Sequence, residues 1–286
     1  MLNSLLRAVD NKVRAHIYYP DAIQCGPSSH QAVAFSPITV LTDDGFTIRG
    51  LASEIPLQPK CCVLFFHGNG GCAATRAHLV APFFKLGAQI IVADYRGYGG
   101  NPGEPTEMGL MQDARAFLKF ATEHSELPLI IVGHSLGGNI AVQLVAEKSD
   151  SIAGLITVGT VASVAALVPA VIRRFVSDKF LAIEKASEIK LPWTIAHDVG
   201  DPTVSLMNSI VLSHANFANR QMKLITLNNR AHDFASDVIG SILLDHIASL
   251  HIAAPGGNSG YVEVPLTKSP MASNSVARLL AKPEPR

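Results

Sequence analysis

With 286 residues the chain is long enough for one large domain, and 48% hydrophobic residues supply a sizeable core, which excludes a chain disordered throughout. Lys plus Arg and Asp plus Glu both number 23, so the formal net charge is zero and no excess of charge points to nucleic acid or to an acidic surface as partner. Cys25, Cys61, Cys62 and Cys72 have no metal-ligand spacing and read as free thiols of a reducing compartment. The N-terminus lacks the basic start, apolar stretch and small-residue cleavage site of a secretory signal, so the expected location is cytoplasmic.

Residues 2–17 place Leu2, Leu5, Leu6, Val9, Val13 and Ile17 at helical spacing with Arg7, Asp10, Lys12 and Arg14 between them. This amphipathic arm is expected to pack on its own domain, the alternative being a weak membrane-surface contact. Residues 18–37 read as an irregular lead-in, and 38–41 and 46–52 as a hairpin around Thr42-Asp43-Asp44-Gly45. Cys61–Phe66 is a continuous apolar strand with Cys61 and Cys62 on opposite faces. The loop His67-Gly68-Asn69-Gly70-Gly71 then lets the backbone curl beneath a ligand. A helix is predicted over 73–87, a strand over Ala88–Ala93, a glycine-rich turn over 94–106 and a helix over 107–123. In the turn, Asp94 and Arg96 read as structural pairing of the loop rather than substrate contacts.

Residues 129–140, LIIVGHSLGGNI, are the centre of the pattern. Four apolar residues form a buried strand, and Gly133-His134-Ser135-Leu136-Gly137 turns directly into a helix. A turn this tight strains Ser135 and leaves no room for side chains at 133 and 137. It raises the serine hydroxyl above the strand end and aims the Leu136 N–H at whatever the serine attacks. Beyond it, 152–158 reads as a strand, and the apolar stretch 160–175 as a small lid in which Ala162, Val164, Ala166, Leu167 and Val171 overhang the site or pack in the core. Residues 152–172 are uncharged and long enough to look like a membrane span, but a span there would divide one site between two sides of a bilayer. Residues 191–196 read as a strand, 204–217 as a helix, Met222–Leu227 as the last strand and 236–252 as the closing helix.

The elbow between strand and helix resembles that of the α/β-hydrolase family, in the GHSLGG form common among its serine esterases and thioesterases. With FHGNGG at 66–71 and DYRGYG at 94–99, the pattern is similar to the subgroup of Bem46-like and related ABHD-type hydrolases. The resemblance covers roughly residues 35–252. It implies an α/β-hydrolase fold: a central, mostly parallel eight-stranded sheet flanked by helices, with a small lid and no large cap domain. It also implies that 67–71 is an oxyanion loop, with the backbone N–H groups of Asn69 and Leu136 as donors. His67 then holds the loop, or with Leu167 and Val171 contacts substrate. The family's acid falls on Asp201, with Asp198 as a local rival where relatives usually carry glycine, and the base falls on His232, beyond the last strand.

The chain order Ser135, Asp201, His232 is that of α/β-hydrolases. The expected activity is cleavage of a small-molecule acyl ester or thioester through an acyl-enzyme on Ser135, with no cofactor and no metal. A non-catalytic binding protein on the same fold, or a peptidase or acyltransferase using the same residues, are the alternatives. The expected division is an arm and lead-in over 1–34, the hydrolase domain over 35–252 and a disordered Pro-, Gly- and Ser-containing tail over 253–286.

Overall fold

The run CCVLFF shows no polar alternation because both faces of its strand are covered, and all six residues are buried. The structure, a computed structural model, describes residues 2–20, 28–30, 33–228, 232 and 236–250. Among these, eight strands form the main sheet: β1 (Val33–Leu41), β2 (Thr47–Ser53), β3 (Cys61–Phe66), β4 (Ala88–Ala93), β5 (Leu129–His134), β6 (Gly154–Val158), β7 (Trp193–Asp198) and β8 (Met222–Leu227). Their spatial order is β1-β2-β4-β3-β5-β6-β7-β8, and the three-residue segment Ser28–His30 adds a ninth, edge piece beside β1. The pairs Ser28–His30 with β1, β1 with β2 and β2 with β4 are antiparallel, and the pairs among β3 to β8 and between β3 and β4 are parallel. This is the α/β-hydrolase fold, with the carboxyl ends of β3 and β5 side by side where the strand order reverses, the usual position of a site in an open α/β sheet.

The longer helices among the described residues are α1 (Leu2–Ile17), α2 (Glu107–His124), α3 (Leu136–Glu147), α4 (Met207–Ala215) and α5 (Ser236–Leu250). Strand pleating sorts β3 into two cores. Cys62, Leu64 and Phe66 pack with α2, α3 and α4, whereas Cys61, Val63 and Phe65 pack with α5 and residues 73–83. Cys61, Cys62 and Cys72 are buried, and burial pushes the Cys61 and Cys62 thiols up to about 12.

Two local readings change. Within the lead-in, β1 begins at Val33 and Tyr19–Pro20 pairs in parallel with Gly70–Gly71, whereas residues 21–27 and 31–32 lie outside the described residues. The continuous helix over 73–87 is instead Ala73–Arg76 followed by 3-10 turns Ala77–Leu79 and Ala81–Leu86, because Pro82 offers no N–H to continue an α-helix and Gly87 closes the segment at φ 95°. The span-like 152–172 contains β6 at the sheet centre and short helical turns at Ala165–Leu167 and Ala170–Arg173. No helix among the described residues is long and apolar enough to cross a membrane. The tail 253–286 lies outside the described residues.

His246 on α5 is buried against β7, its Nε2 2.9 Å from Thr194 Oγ1, and burial pushes its pKa down to about 4. Above the ordinary histidine range neither folded nor unfolded chain protonates it; between about 6.5 and 4 only the unfolded chain does, so stability is lost as the pH is lowered through that window. The loss is at most roughly 3 kcal/mol. His246→Gln, which keeps a polar partner for Thr194, is expected to flatten this part of the acid dependence. Urea midpoints from pH 7.5 to 4.5 measure it, and equal slopes in both proteins would contradict the assignment.

Candidate active site

Ser135 follows β5 directly and has φ 53° and ψ −117°, a conformation that costs a non-glycine residue free energy. Two close approaches make that conformation possible. A Cβ at Gly133 would stand 2.6 Å from the Gly137 carbonyl oxygen, and one at Gly137 would run into the carbonyl oxygens of Phe66 and His67. The elbow is thus pressed against the loop that follows β3, where a Cβ at Gly68 would lie 3.2 Å from that of Ser135. The Ser135 N–H donates to Val158 O at 2.9 Å, fixing the turn to β6, and the serine side chain does not cap α3.

Asp201 and His232 come from the ends of β7 and β8. His232 Nδ1 lies 2.7 Å from Asp201 Oδ2, and the carboxylate is almost fully buried. Its other oxygen accepts from the backbone N–H groups of Thr203 and Val204 at 2.7 and 2.8 Å. Burial works against the charged form, but the bond to His232 and the two N–H donors outweigh it and hold Asp201 below the usual carboxylate range. Asp198 instead ends β7 in register with Leu227 and accepts from Gly200 N–H at 2.9 Å. The pair packs on the corner after β6, where a Cβ on Gly159 would lie 3.3 Å from the His232 ring and 3.5 Å from Asp201 Oδ2.

Two histidines not singled out for the site support this arrangement. His134, inside the elbow, donates from Nε2 to the His232 carbonyl at 2.9 Å, and the two rings are 5.0 Å apart. His197 is fully buried, donates from Nε2 to Val204 O at 2.8 Å and accepts at Nδ1 from Ser209 Oγ at 2.7 Å. Burial pushes its pKa down, so it stays neutral while bracing the turn that carries Asp201. His134 had one sequence signal, its place between Gly133 and Ser135.

The DYRGYG run supplies several of the bonds that hold the loop after β3. His67 is fully buried, with Nε2 3.1 Å from Asp94 Oδ1 and Nδ1 2.8 Å from Gly68 O. Both ring nitrogens face acceptors, so the ring is held on both sides. This corrects the expectation of His67 as a substrate contact: no face of it is open. Tyr95 Oη donates to His67 O at 2.8 Å and Tyr98 Oη to Asn69 O at 2.9 Å. Arg96 turns away, forking onto Asp113 at 2.8 Å and Asp44 at 2.7 Å. Among the described residues the N–H groups of Asn69 and Leu136 donate to no protein acceptor.

Between β6 and β7 the chain makes only short turns, so the fold carries no large cap domain. Ala162 and Val164 are packed in the core and Val171 is 77% exposed, whereas the Leu167 side chain lies outside what the structure describes. No cluster of three or more His, Cys, Asp or Glu among the described residues has the makings of a metal site.

Known proteins bear on this geometry directly. A family model described as serine aminopeptidase, S33, matches residues 57–196, a stretch holding the elbow and the glycine loop but ending before Asp201 and His232. An uncharacterised protein of Mycobacterium tuberculosis is 30% identical over 243 residues, covering 82% of this chain and 85% of that protein. Protein bem46 of Schizosaccharomyces pombe is 28% identical over 199 residues, or 63% of this chain and 66% of that one. Among solved structures, an esterase of Pyrococcus furiosus superposes with a TM-score of 0.64 at 15% identity, covering 82% of this chain and 97% of the other, a likeness of fold. The chain belongs to the α/β-hydrolase family, with a Bem46-like relationship.

Proposed function

We propose that the protein is a serine hydrolase that cleaves a carboxylic ester or thioester through an acyl-enzyme on Ser135. The observation that carries this reading is the 2.7 Å bond between His232 Nδ1 and Asp201 Oδ2, made by residues outside the stretch matched by the family model, with the His232 ring 5.0 Å from that of His134, the neighbour of Ser135. Asp201 holds Nδ1–H, so Nε2 is the basic nitrogen that takes the Ser135 proton. Serine attacks the acyl carbonyl, and the oxyanion is met by the backbone N–H groups of Asn69 and Leu136, each such donor typically worth about 10²–10³ in turnover. His232 then protonates the leaving group, and water releases the acyl group by the reverse sequence. Every one of these steps uses this chain's own residues.

The description attached to the family model favours a second reading, amide hydrolysis by the same machinery. A fluorophosphonate probe followed by peptide mass spectrometry tests the common step. Labelling is expected on the peptide containing Ser135, and no labelling of that peptide would return the chain to a ligand-binding role. A panel of p-nitrophenyl esters from acetate to palmitate, acyl thioesters and aminoacyl p-nitroanilides then separates ester, thioester and amide cleavage. Ester or thioester turnover well above anilide turnover is the expected result.

A further inference from the structure

The neighbouring residues Tyr18 and Tyr19 bridge two parts of the molecule that lie far apart in the sequence. On one side, Tyr18 is buried edge-on to Phe180 with ring centroids 6.2 Å apart, and its hydroxyl donates to Asp178 at 3.0 Å. Arg14 Nε lies 2.9 Å from the same carboxylate, and Asp10 accepts from the backbone N–H and hydroxyl of Ser177 at 2.8 and 2.9 Å. Residues 10–18 are therefore fastened to 177–180, the return leg of the connection between β6 and β7. That leg is itself tied to the elbow helix, because Asn139 Nδ2 donates to both Val161 O and Phe180 O, at 2.8 and 2.7 Å.

On the other side, the Tyr19 N–H donates to Asn69 O at 2.9 Å, and Tyr19–Pro20 runs parallel to Gly70–Gly71. The Asn69 carbonyl thus receives two donors, Tyr19 N–H and Tyr98 Oη, which fix the peptide plane just after the N–H assigned above to the oxyanion. A glycine-flanked loop has little stiffness of its own, so its orientation depends on such external bonds. The joint to 177–178 is polar, and a cleft of 480 Å³ runs along it, lined by Arg14, Glu107, Met111, Ser177 and Asp178.

We propose that residues 18–20 are a strap that sets the direction of the oxyanion loop and couples it to the 177–180 leg, making Tyr18 and Tyr19 positioning residues of the site. The catalytic part of this rests on the acyl-enzyme reading; the mechanical coupling does not. Two full-length variants separate the ends of the strap. Tyr19→Pro removes the donor to Asn69, while the double variant Tyr18→Phe with Asp10→Ala loosens the distant joint without touching the loop.

Hydrogen exchange reads the coupling without any assumption about chemistry. The double variant is expected to speed exchange in a peptide spanning 68–76 by about tenfold, with the β5 peptide unchanged, and unchanged exchange at 68–76 overturns the strap. Kinetics reads its consequence. Tyr19→Pro is expected to lower kcat on an ester by roughly 10–100-fold, the size of effect that displacement by about 1 Å produces. The Ki of a boronic acid, which mimics the tetrahedral adduct, should rise by the same factor, with KM within about twofold. A fall in kcat with an unchanged boronic acid Ki overturns the positioning role. Faster exchange in a protein whose wild type takes no fluorophosphonate leaves the coupling standing and sinks the acyl-enzyme reading instead.

Discussion

Ser135→Ala is expected to lower kcat on the preferred ester by about 10⁶, leaving only what binding and the oxyanion donors supply on their own. The size follows from the loss of the covalent route altogether: His232 and Asp201 have no proton to move if no hydroxyl stands between them and the acyl carbon. A companion substitution separates chemistry from strain. Ser135 is held at φ 53° and ψ −117°, where a Cβ costs roughly 1–3 kcal/mol, and alanine keeps that cost. Ser135→Gly removes it and forfeits about 0.5–1 kcal/mol of chain entropy, so the glycine variant should be more stable than wild type by about 1 kcal/mol and equally inactive. Thermal melting of the three proteins, beside turnover, checks both halves. A glycine variant less stable than the alanine one would mean that the elbow stores no strain.

Why the elbow was legible and its supports were not comes down to the range of the constraint. Gly133 and Gly137 are forced by neighbours within the same turn and by the adjacent loop, so the spacing alone exposes the geometry. The pairing of Asp201 with His232 could be anticipated because each follows a recognisable strand, β7 or β8, and these strands are adjacent in the sheet. The DYRGYG run was read as a turn beside the site. Its actual work is done by side chains on backbone carbonyls and a buried ring 27–29 residues earlier, and a carbonyl has no sequence signature. The same holds for His134, whose acceptor is the carbonyl of a residue 98 positions away.

The lead-in was misread for a related reason. Composition around Pro20 and Gly26-Pro27 suggests irregular chain, yet two residues suffice to pair with Gly70–Gly71, and so short a ladder leaves no periodicity to detect. The broken segment over 73–86 is the opposite case. Its apolar spacing suits a helix, but Pro82 and Gly87 decide the outcome locally, and they were visible in the sequence.

Asp201→Asn should lower kcat by about 10⁴, whereas Asp198→Asn should stay within a few-fold of wild type. The first figure follows from which atom asparagine must present. Asp201 Oδ1 accepts from Thr203 and Val204 N–H groups at 2.7 and 2.8 Å, so the amide oxygen of the variant is retained there and its NH₂ turns toward His232. The position now held by Oδ2, 2.7 Å from His232 Nδ1, becomes a donor. The ring then has to accept at Nδ1 and carry its proton on Nε2, the tautomer that cannot take a proton from serine. At Asp198 the oxygen that receives Gly200 N–H at 2.9 Å survives in asparagine, so the turn keeps its shape. Stopped assays of both variants on one ester, with melting temperatures to confirm folding, settle which carboxylate orients the base. A 10⁴-fold loss in the Asp198 variant with an active Asp201 variant would move the acid three residues upstream and with it the whole proton path.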